Sequence, residues 1–298
     1  MKLGFITILV CGFSIILPHC VQGQNESQLS AVRSELNKRV AISNEHRLNY
    51  INNYKIVRGF SILNKPDSAF IFLNRIISQN KANGSLIYDP ELKNLRNNEN
   101  WPTIVDAINL QFIQNNPGVD TALAFQLRRW NFEDQYIREL ASNSLDNPSE
   151  SSPHKTDSLF KKMIEIDSIN CIRLDQFVNT YGWPIAEKVG NEGVESAFLI
   201  VQHGPYEYQQ VYLNSIKESV GKGDLSPQYL AMLIDRMLRK QNKKQRYGTQ
   251  IQTNELTGKH KMAPVEDEKN LNKRREKMGL EPIEGYLKSF DIDYDPPK

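Results

Sequence analysis

The sequence predicts a mainly α-helical protein, a helical array with one β-hairpin near its C-terminal end. Apolar residues recur at three- and four-residue spacing along most of the chain, which is typical of helices with one buried face. Glycine and proline stand where these segments end and begin, as at Gly182 and Pro227. Residues 246–265 alternate instead, with a turn in the middle, and this pattern predicts a pair of strands.

Residues 24–118 form the first predicted region, which is helical. Apolar residues recur at helical spacing over residues 32–40, and residues 68–78 form a second segment with an apolar face. Residues 89–96, followed by Trp101, resemble the close of a tetratricopeptide-like helical hairpin. Because stacked hairpins of that kind usually form a scaffold or a peptide-binding surface, the region is predicted to present one.

Residues 119–298 form the second predicted region, a mainly helical domain that includes the hairpin. Gly182 fits a helix C-cap, and Pro184 prevents the helix from continuing. Ser226 and Pro227 fit the N-cap and the first turn of a later helix. These signals and the apolar spacing place helices at residues 121–140, 158–166, 172–181, 194–203, 206–220, 227–241, 267–278 and 282–289.

The N-terminal residues are typical of a secretory signal peptide. Lys2 precedes an apolar run over residues 3–17. That run is too short to cross a bilayer core, which needs about 20 residues. Val21 and Gly23 fit a cleavage site. We therefore expect residues 1–23 to be removed and the mature protein to be exported, periplasmic or secreted, without a transmembrane segment.

The cysteines agree with export. Cys20 offers an alternative, a lipid-anchored N-terminus, but Pro18 and His19 fit poorly before a lipidated cysteine. After cleavage at residue 23 one cysteine is left, Cys171, so no internal disulfide is expected. Its apolar neighbours predict that Cys171 is buried.

The charge balance argues against a nucleic-acid partner. The formal net charge is +2 over the whole chain, and proteins that bind nucleic acid or membrane surfaces are usually more basic. One basic cluster, from Arg236 to Arg246, follows a predicted helix. Cations are favourable at a helix C-terminus because they meet the negative end of its dipole. Binding of an anionic ligand or surface is the alternative interpretation of this cluster.

Five short motifs occur in one order along the second region. They are residues 179–184 (NTYGWP), 198–203 (FLIVQH), 235–236 (DR), 245–250 (QRYGTQ) and 273–282 (KRREKMGLEP). Together they resemble the bacterial family called domain of unknown function 6624, over roughly residues 120–290. The resemblance implies no reaction and no cofactor. The chain departs from the family at Gly204 and Pro205, where better helix formers are usual.

Two polar residues emerge at the end of a helix predicted to be buried. Residues 196–201 are apolar on nearly every side, and a helix of that kind is buried. Gln202 and His203 follow directly. Pro205 lacks an N–H, so the carbonyl of Val201 is expected to lose its helical partner. An amide, an imidazole and a free acceptor are thus expected within one turn.

We predict that these residues contribute to a polar pocket under the hairpin. His203 is the candidate proton carrier near neutral pH, and Asp235 is the candidate that orients it. Gly248 within a strand suggests close approach by a ligand or another backbone. The candidate ligand-binding residues are Gln202, Arg236, Gln245, Tyr247, Gly248 and Gln250. The alternative for each residue is a hydrogen-bonded network that fixes the hairpin to the helices.

Most named chemistries lack their motifs. The histidines are scattered and no cysteine pair is present, so we expect no metal site. Neither a phosphate-binding glycine loop nor a dinucleotide fingerprint occurs, so we expect no cofactor.

Two functions are consistent with these residues. The first is an exported binding module whose partner is an unknown small molecule or an envelope protein. The alternative is a cell-envelope hydrolase or transferase that uses His203 as general base.

Overall fold

A computed structural model describes residues 26–45, 50–80, 84–146, 153–253, 260–290 and 292–294 of the chain. Within these residues the protein is mainly α-helical, as predicted, with one antiparallel pair of strands. The predicted signal peptide and Cys20 lie outside them. Nowhere in the described part does a helix combine the length and the apolar character that crossing a bilayer requires.

The helices and strands are numbered in chain order. The helices are α1 (Glu26–Glu45), α2 (Tyr50–Ile62), α3 (Pro66–Ser78), α4 (Trp101–Asn115), α5 (Thr121–Asp146), α6 (Pro153–Tyr181), α7 (Ala186–His203), α8 (Tyr206–Lys222), α9 (Pro227–Lys240), α10 (Leu271–Lys277) and α11 (Ile283–Lys288). The strands are β1 (Ile251–Thr253) and β2 (His260–Met262).

The described chain divides into two compact units. The first holds the described residues up to Phe160 together with Glu187–Gly190. The second holds Lys161–Ala186 and the described residues from Asn191 onward. The regions predicted from the sequence meet at residue 118, between α4 and α5, and that boundary stays a prediction.

Consecutive helices build the core of the first unit. Helix α1 packs on α2, α2 on α3, and α3 on α4. Val32 and Leu36, at the helical spacing seen in the sequence, are buried. The tetratricopeptide-like interpretation is not confirmed: between α3 and α4 the chain forms two 3-10 helices, Gly84–Tyr88 and Pro90–Leu95.

A buried ion-pair network fixes the second 3-10 helix in the first unit. Asp89 is fully buried and accepts hydrogen bonds from the Tyr54 hydroxyl and from Arg58 Nε, the latter at 2.6 Å. It also accepts from the backbone N–H of Glu91, at 2.9 Å. Arg58 Nη1 donates to Glu139 at 2.6 Å. Because a buried charge is stable only when paired, this network ties α2 and α5 to the segment between them.

Helix α6 is continuous where the sequence predicted two helices, at residues 158–166 and 172–181. The predicted gap falls on short polar side chains, which often bond to the backbone and favour turns. Here the Asn170 side chain instead accepts a hydrogen bond from Arg173 Nη1, three residues further along the helix, at 3.1 Å. Cys171 is buried, as predicted, so the apolar face runs through the expected gap.

A sharp corner joins α7 to α8 in the second unit. Helix α7 ends at His203, and Gly204 has extended backbone angles (φ −63°, ψ 168°) before α8 begins at Tyr206. A Cβ atom added to Gly204 would lie 2.8 Å from Cδ1 of Tyr208. The corner is therefore tightly packed, which accounts for a glycine at this position.

The carbonyl expected to be free at this corner has a partner. Pro205 was predicted to deprive the Val201 carbonyl of its helical hydrogen bond. Pro205 does remove that bond, because it has no N–H, but the carbonyl is not a free acceptor: the N–H of Gly204, which donates to Ile200 O at 3.0 Å, also donates to Val201 O at 3.2 Å. The side-chain amide of Gln209 in turn donates to the carbonyls of Gln202 (2.8 Å) and Gly204 (3.2 Å). The backbone of the corner is thus held by groups of the second unit itself.

The predicted hairpin is present, but its first strand begins later than residue 246. Residues 246–248 form bends, and residues 249–250 are irregular, instead of extended strand. The reason is that the Asp235 carboxylate accepts backbone N–H groups that strand pairing would otherwise use. The base of the hairpin is closed by Gln245, whose N–H donates to Pro264 O and whose carbonyl accepts from Glu266 N, both at 2.9 Å.

A small apolar cluster supports the hairpin. Val265, Leu271, Ile283 and Leu287 are buried together. Helix α10 packs on α11, and partly buried side chains of both strands join the cluster. The two last helices thus give the short sheet a core of its own.

Candidate functional site

Asp235 anchors the loop formed by residues 245–250. Its side chain leaves α9 fully buried. Oδ1 accepts the N–H of Arg246 at 2.6 Å and that of Tyr247 at 3.0 Å. Oδ2 accepts the N–H of Tyr247 at 3.1 Å. It also accepts the N–H and hydroxyl of Thr249, at 3.0 and 2.9 Å. One carboxylate therefore fixes the backbone of three loop residues.

These contacts define the electrostatics of Asp235. Burial raises the pKa of its carboxyl group, and the hydrogen bonds from the loop lower that pKa by less. Within the described chain, the hydrogen bonds of this carboxylate all go to the loop and none goes to His203. Its proposed role as the group that orients His203 stays a prediction.

Gln245 and Gln250 bond to each other and to the hairpin. The side-chain amide of Gln245 donates to the carbonyls of Gln250 (3.0 Å) and Ala263 (2.7 Å). Its Oε1 accepts the N–H of Gln250 at 2.8 Å. Nε2 of Gln250 donates to the Thr249 hydroxyl at 3.2 Å. Both the Nε2 and the Oε1 atoms of Gln245 are thus hydrogen-bonded, within the loop and to the hairpin.

Gly248 makes the close approach that its sequence position suggested, and its neighbours are side chains of this protein. Its φ angle is +71°, in the left-handed region that favours glycine. An added Cβ would lie 2.9 Å from Cδ1 of Ile283 and 3.4 Å from Cδ2 of Leu271. The loop therefore packs on the apolar cluster behind the hairpin at this point.

Arg275 is a buried residue of this region that the sequence reasoning did not assign. It is 1% exposed. Its Nη1 donates to the carbonyl of Tyr247 at 2.7 Å, and Nε donates to that of Glu281 at 2.7 Å. The available signal was its spacing: Arg275 follows the buried Leu271 by four residues, which puts a charge on the apolar face of α10.

The end of α7 carries the second group of predicted residues. Gln202 is fully buried, and neither atom of its amide has a hydrogen-bond partner in the described chain. His203 is partly exposed. One ring nitrogen of His203 and one carboxylate oxygen of Asp167 lie within 4.8 Å of each other. Asp167, in α6, had no signal in the sequence.

Lys240, at the end of α9, joins this group. Its Nζ donates to the carbonyl of Gly204 at 2.9 Å, although the side chain as a whole is exposed. Loss of hydration around the amine and the nearby charge of Arg236 lower its pKa to about 8. Glu207 and Asp167 raise the pKa by less. The environment of this amine therefore disfavours its own protonated, positively charged form.

Helix α9 thus bears two sets of candidate residues. Asp235 faces the loop that contains Gln245, Tyr247, Gly248 and Gln250. The adjacent Arg236 interacts electrostatically with Lys240 beside the α7–α8 corner. We call the second set the corner site and define it as Asp167, Gln202, His203, Arg236 and Lys240. The ligand-binding roles assigned to both sets from the sequence stay predictions.

The corner site contains two residue types that bind divalent metals. An imidazole and a carboxylate, as in His203 and Asp167, are common zinc ligands. The neighbouring cations Arg236 and Lys240 oppose a further positive charge. The expectation of no metal stays a prediction.

Comparison with known families identifies the chain. A family model described as "Family of unknown function (DUF6624)" matches residues 125–295, more than half of the 298 residues. The chain belongs to this family. The DUF6624 match confirms the resemblance drawn from the ordered motifs, and it includes the loop, Asp235 and the corner site. No curated protein and no solved structure matches the chain. Membership of DUF6624 therefore assigns no reaction.

Proposed function

We propose that this protein is an exported ligand-binding module and that its ligand occupies the corner site. The observation that supports the proposal is the buried amide of Gln202, which lacks hydrogen-bond partners in the described chain. A buried polar group without a partner costs about 1–3 kcal/mol. A ligand group that accepts a hydrogen bond from Nε2 of this amide would offset part of that cost. His203, the next residue, is partly exposed, and Lys240 is exposed, so solvent reaches two residues of the corner site.

The position of Gln202 fits a contact with α9. Phe198, one turn earlier on α7, packs against Tyr229 of α9 with tilted rings whose centroids are 4.9 Å apart. Gly204, just after α7, accepts from Lys240 at the end of α9. Gln202 follows Phe198 by four residues and so shares its face of the helix. We therefore expect its amide to lie on the side of α7 that faces α9, between the levels of Tyr229 and Lys240.

Export is the part of the proposal that rests on the sequence alone. It is supported by the positively charged Lys2 at the N-terminus, by the short apolar run over residues 3–17 and by Val21 and Gly23 before Gln24. Expression in a bacterium with an export pathway, followed by mass measurement of the purified protein, tests it. We expect an N-terminus at Gln24 in the envelope or medium fraction. Recovery of the uncleaved chain from the cytosol contradicts export, and a lipid on Cys20 contradicts cleavage after Gly23.

Ligand binding is tested with a small-molecule library and a matched pair of variants. Thermal shift on the mature protein should find compounds that raise its melting temperature. Gln202→Leu removes the amide at similar size, so we expect the variant to fold and to lose the shift. Gln210→Leu, at an exposed position of α8, should keep it. Equal shifts in both variants would show that the compounds bind elsewhere.

One contact favours the alternative function, an envelope hydrolase or transferase. A carboxylate beside an imidazole, as in Asp167 and His203, is the arrangement that orients a general base. Chromogenic esters and phosphoesters provide the assay. If the protein is such an enzyme, His203→Ala abolishes turnover and leaves the melting temperature almost unchanged. If His203 is structural, the change costs about 1–3 kcal/mol of stability through partners left unpaired.

A further inference from the structure

Two cations of α9 face the same corner. Arg236 and Lys240 are four residues apart, one helical turn, and they repel each other electrostatically. Lys240 Nζ is held in place by its 2.9 Å hydrogen bond to the carbonyl of Gly204. Like charges one turn apart destabilise a helix unless something offsets them. The arrangement therefore favours a nearby negative charge.

The protein's own negative charges do not restore the ordinary pKa of Lys240. Glu207 and Asp167 both act on Lys240, yet its pKa still falls to about 8, because dehydration of the amine and Arg236 outweigh them. The titratable groups that act on Lys240 are Arg236, Glu207, Asp167 and Cys171. An additional anion would restore the ordinary affinity of this amine for its proton.

The start of α8 adds a partial positive charge near Lys240 and Arg236. Helix α8 begins at Tyr206 after Pro205, and no side chain caps its first N–H groups. The N-terminus of a helix bears a partial positive charge and presents these N–H groups to anions. Gly204, which accepts from Lys240, is two residues before this helix start. Lys240 and the N-terminus of α8 are therefore close neighbours.

Gln202 supplies the independent observation that points to a ligand. Its amide is fully buried and has no hydrogen-bond partner in the described chain. Its four-residue spacing from Phe198, which packs against Tyr229, places it on the side of α7 that faces α9. A carboxylate or phosphate group carries several acceptor oxygens, so it can accept from the Gln202 amide and from both cations together. A neutral apolar molecule can neither accept these hydrogen bonds nor offset the positive charges.

We propose that the corner site binds a small anion through a carboxylate or phosphate group, held by Lys240 and Arg236 and by the amide of Gln202. This inference rests on the proposed function, since it names the chemical class of the ligand for the same site. Binding takes up a proton when the pH is above the pKa of the free amine, because the bound anion favours protonated Lys240.

The test uses inorganic phosphate and acetate as probes on the mature protein, with calorimetry in buffers of different ionisation enthalpy. We expect saturable binding of at least one probe that weakens at high salt, and proton uptake at pH 9. Lys240→Met and Arg236→Met should each weaken binding at least tenfold. Lys244→Met, an exposed neighbour outside the site, should change it less than twofold. The two probes distinguish a carboxylate ligand from a phosphate ligand.

The outcomes separate the two proposals. Equal weakening by Lys240→Met and Lys244→Met would mean general attraction to a basic surface and would overturn the anion site. If neither probe binds, but neutral library compounds bind in a way that Gln202→Leu abolishes, the anion class is wrong and the proposed function survives. If neither the probes nor the library bind at this corner, both proposals fail. Melting temperatures of the variants, within a few degrees of the wild type, confirm that they fold.

Discussion

Replacement of Asp235 by alanine tests how the 245–250 loop is built. The carboxylate is fully buried and accepts from three backbone N–H groups and one hydroxyl. Alanine removes every one of these acceptors and is too short to reach the loop. The N–H groups of the buried residues Tyr247 and Thr249 then lose their partner.

The expected loss of stability follows from those two groups. A buried N–H without an acceptor costs about 1–3 kcal/mol, so the two together cost about 2–6 kcal/mol. Loss of the carboxylate offsets part of this, because burial already penalises its charge, as the raised pKa of Asp235 shows. We expect Asp235→Ala to lower the free energy of unfolding by about 3 kcal/mol. Asp235→Asn keeps one acceptor oxygen and should lose less.

Urea denaturation measures the free energy of unfolding, and amide hydrogen exchange shows where protection is lost. Asp293→Ala, at an exposed position of the same unit, is the control and should stay within about 0.5 kcal/mol of the wild type. Exchange should accelerate first at Tyr247 and Thr249. If Asp235→Ala unfolds within about 1 kcal/mol of the wild type and leaves both amides protected, the carboxylate does not hold the loop.

Three further predictions address other parts of the fold, each measured as a change in the free energy of unfolding. Gly248→Ala places a Cβ at a φ of +71° against the apolar cluster and should cost about 1–3 kcal/mol of stability. Its control is Gly221→Ala, in an open helical position, which should stabilise the protein by about 0.5–1 kcal/mol. Equal effects of the two changes would contradict the packing of Gly248 on the apolar cluster. Asp89→Ala breaks the buried ion pair with Arg58 and should cost about 3–5 kcal/mol of stability. The control, Asp106→Ala at an exposed position, should change stability very little. A small loss for Asp89→Ala would mean that water reaches the ion pair. The folded pKa of Lys240, about 8, lies below its unfolded value of 10.5, so the unfolded chain binds more protons between these values. Wild-type stability relative to Lys240→Met should therefore rise as the pH increases from 8 to 10.5, by no more than about 1 kcal/mol after solvent screening, and a fall would contradict the shift.

The sequence predicted the helices better than it predicted what their polar residues do. Apolar spacing and helix-ending residues carry local information, so the starts of α8 and α9 were found to within a residue. The alternation over residues 246–250 was misleading, because a carboxylate eleven or more positions upstream determines their conformation. A contact of this kind depends on how α9 packs, and local spacing does not contain it.

The candidate site was predicted in part for the same reason. Gln202 and His203 were found because they end an apolar helix, a local pattern. Lys240 stood in the basic cluster, but only the fold brings its amine to the carbonyl of Gly204. Asp167 lies in a different helix from His203, and one sequence without its fold gives no means of pairing them.

The closed base of the hairpin affects how this region tolerates insertions and deletions. Gln245 is joined through its own backbone to Pro264 and Glu266, so the chain leaves and re-enters the body of the unit at one point. Insertions or deletions between β1 and β2 are therefore not expected to move the start of α10. Lengthening a connection costs little, about 0.6 kcal/mol per doubling of its length. Homologues are thus free to differ in size there, and a tag or a fluorescent label inserted between the strands should leave the rest of the unit in place.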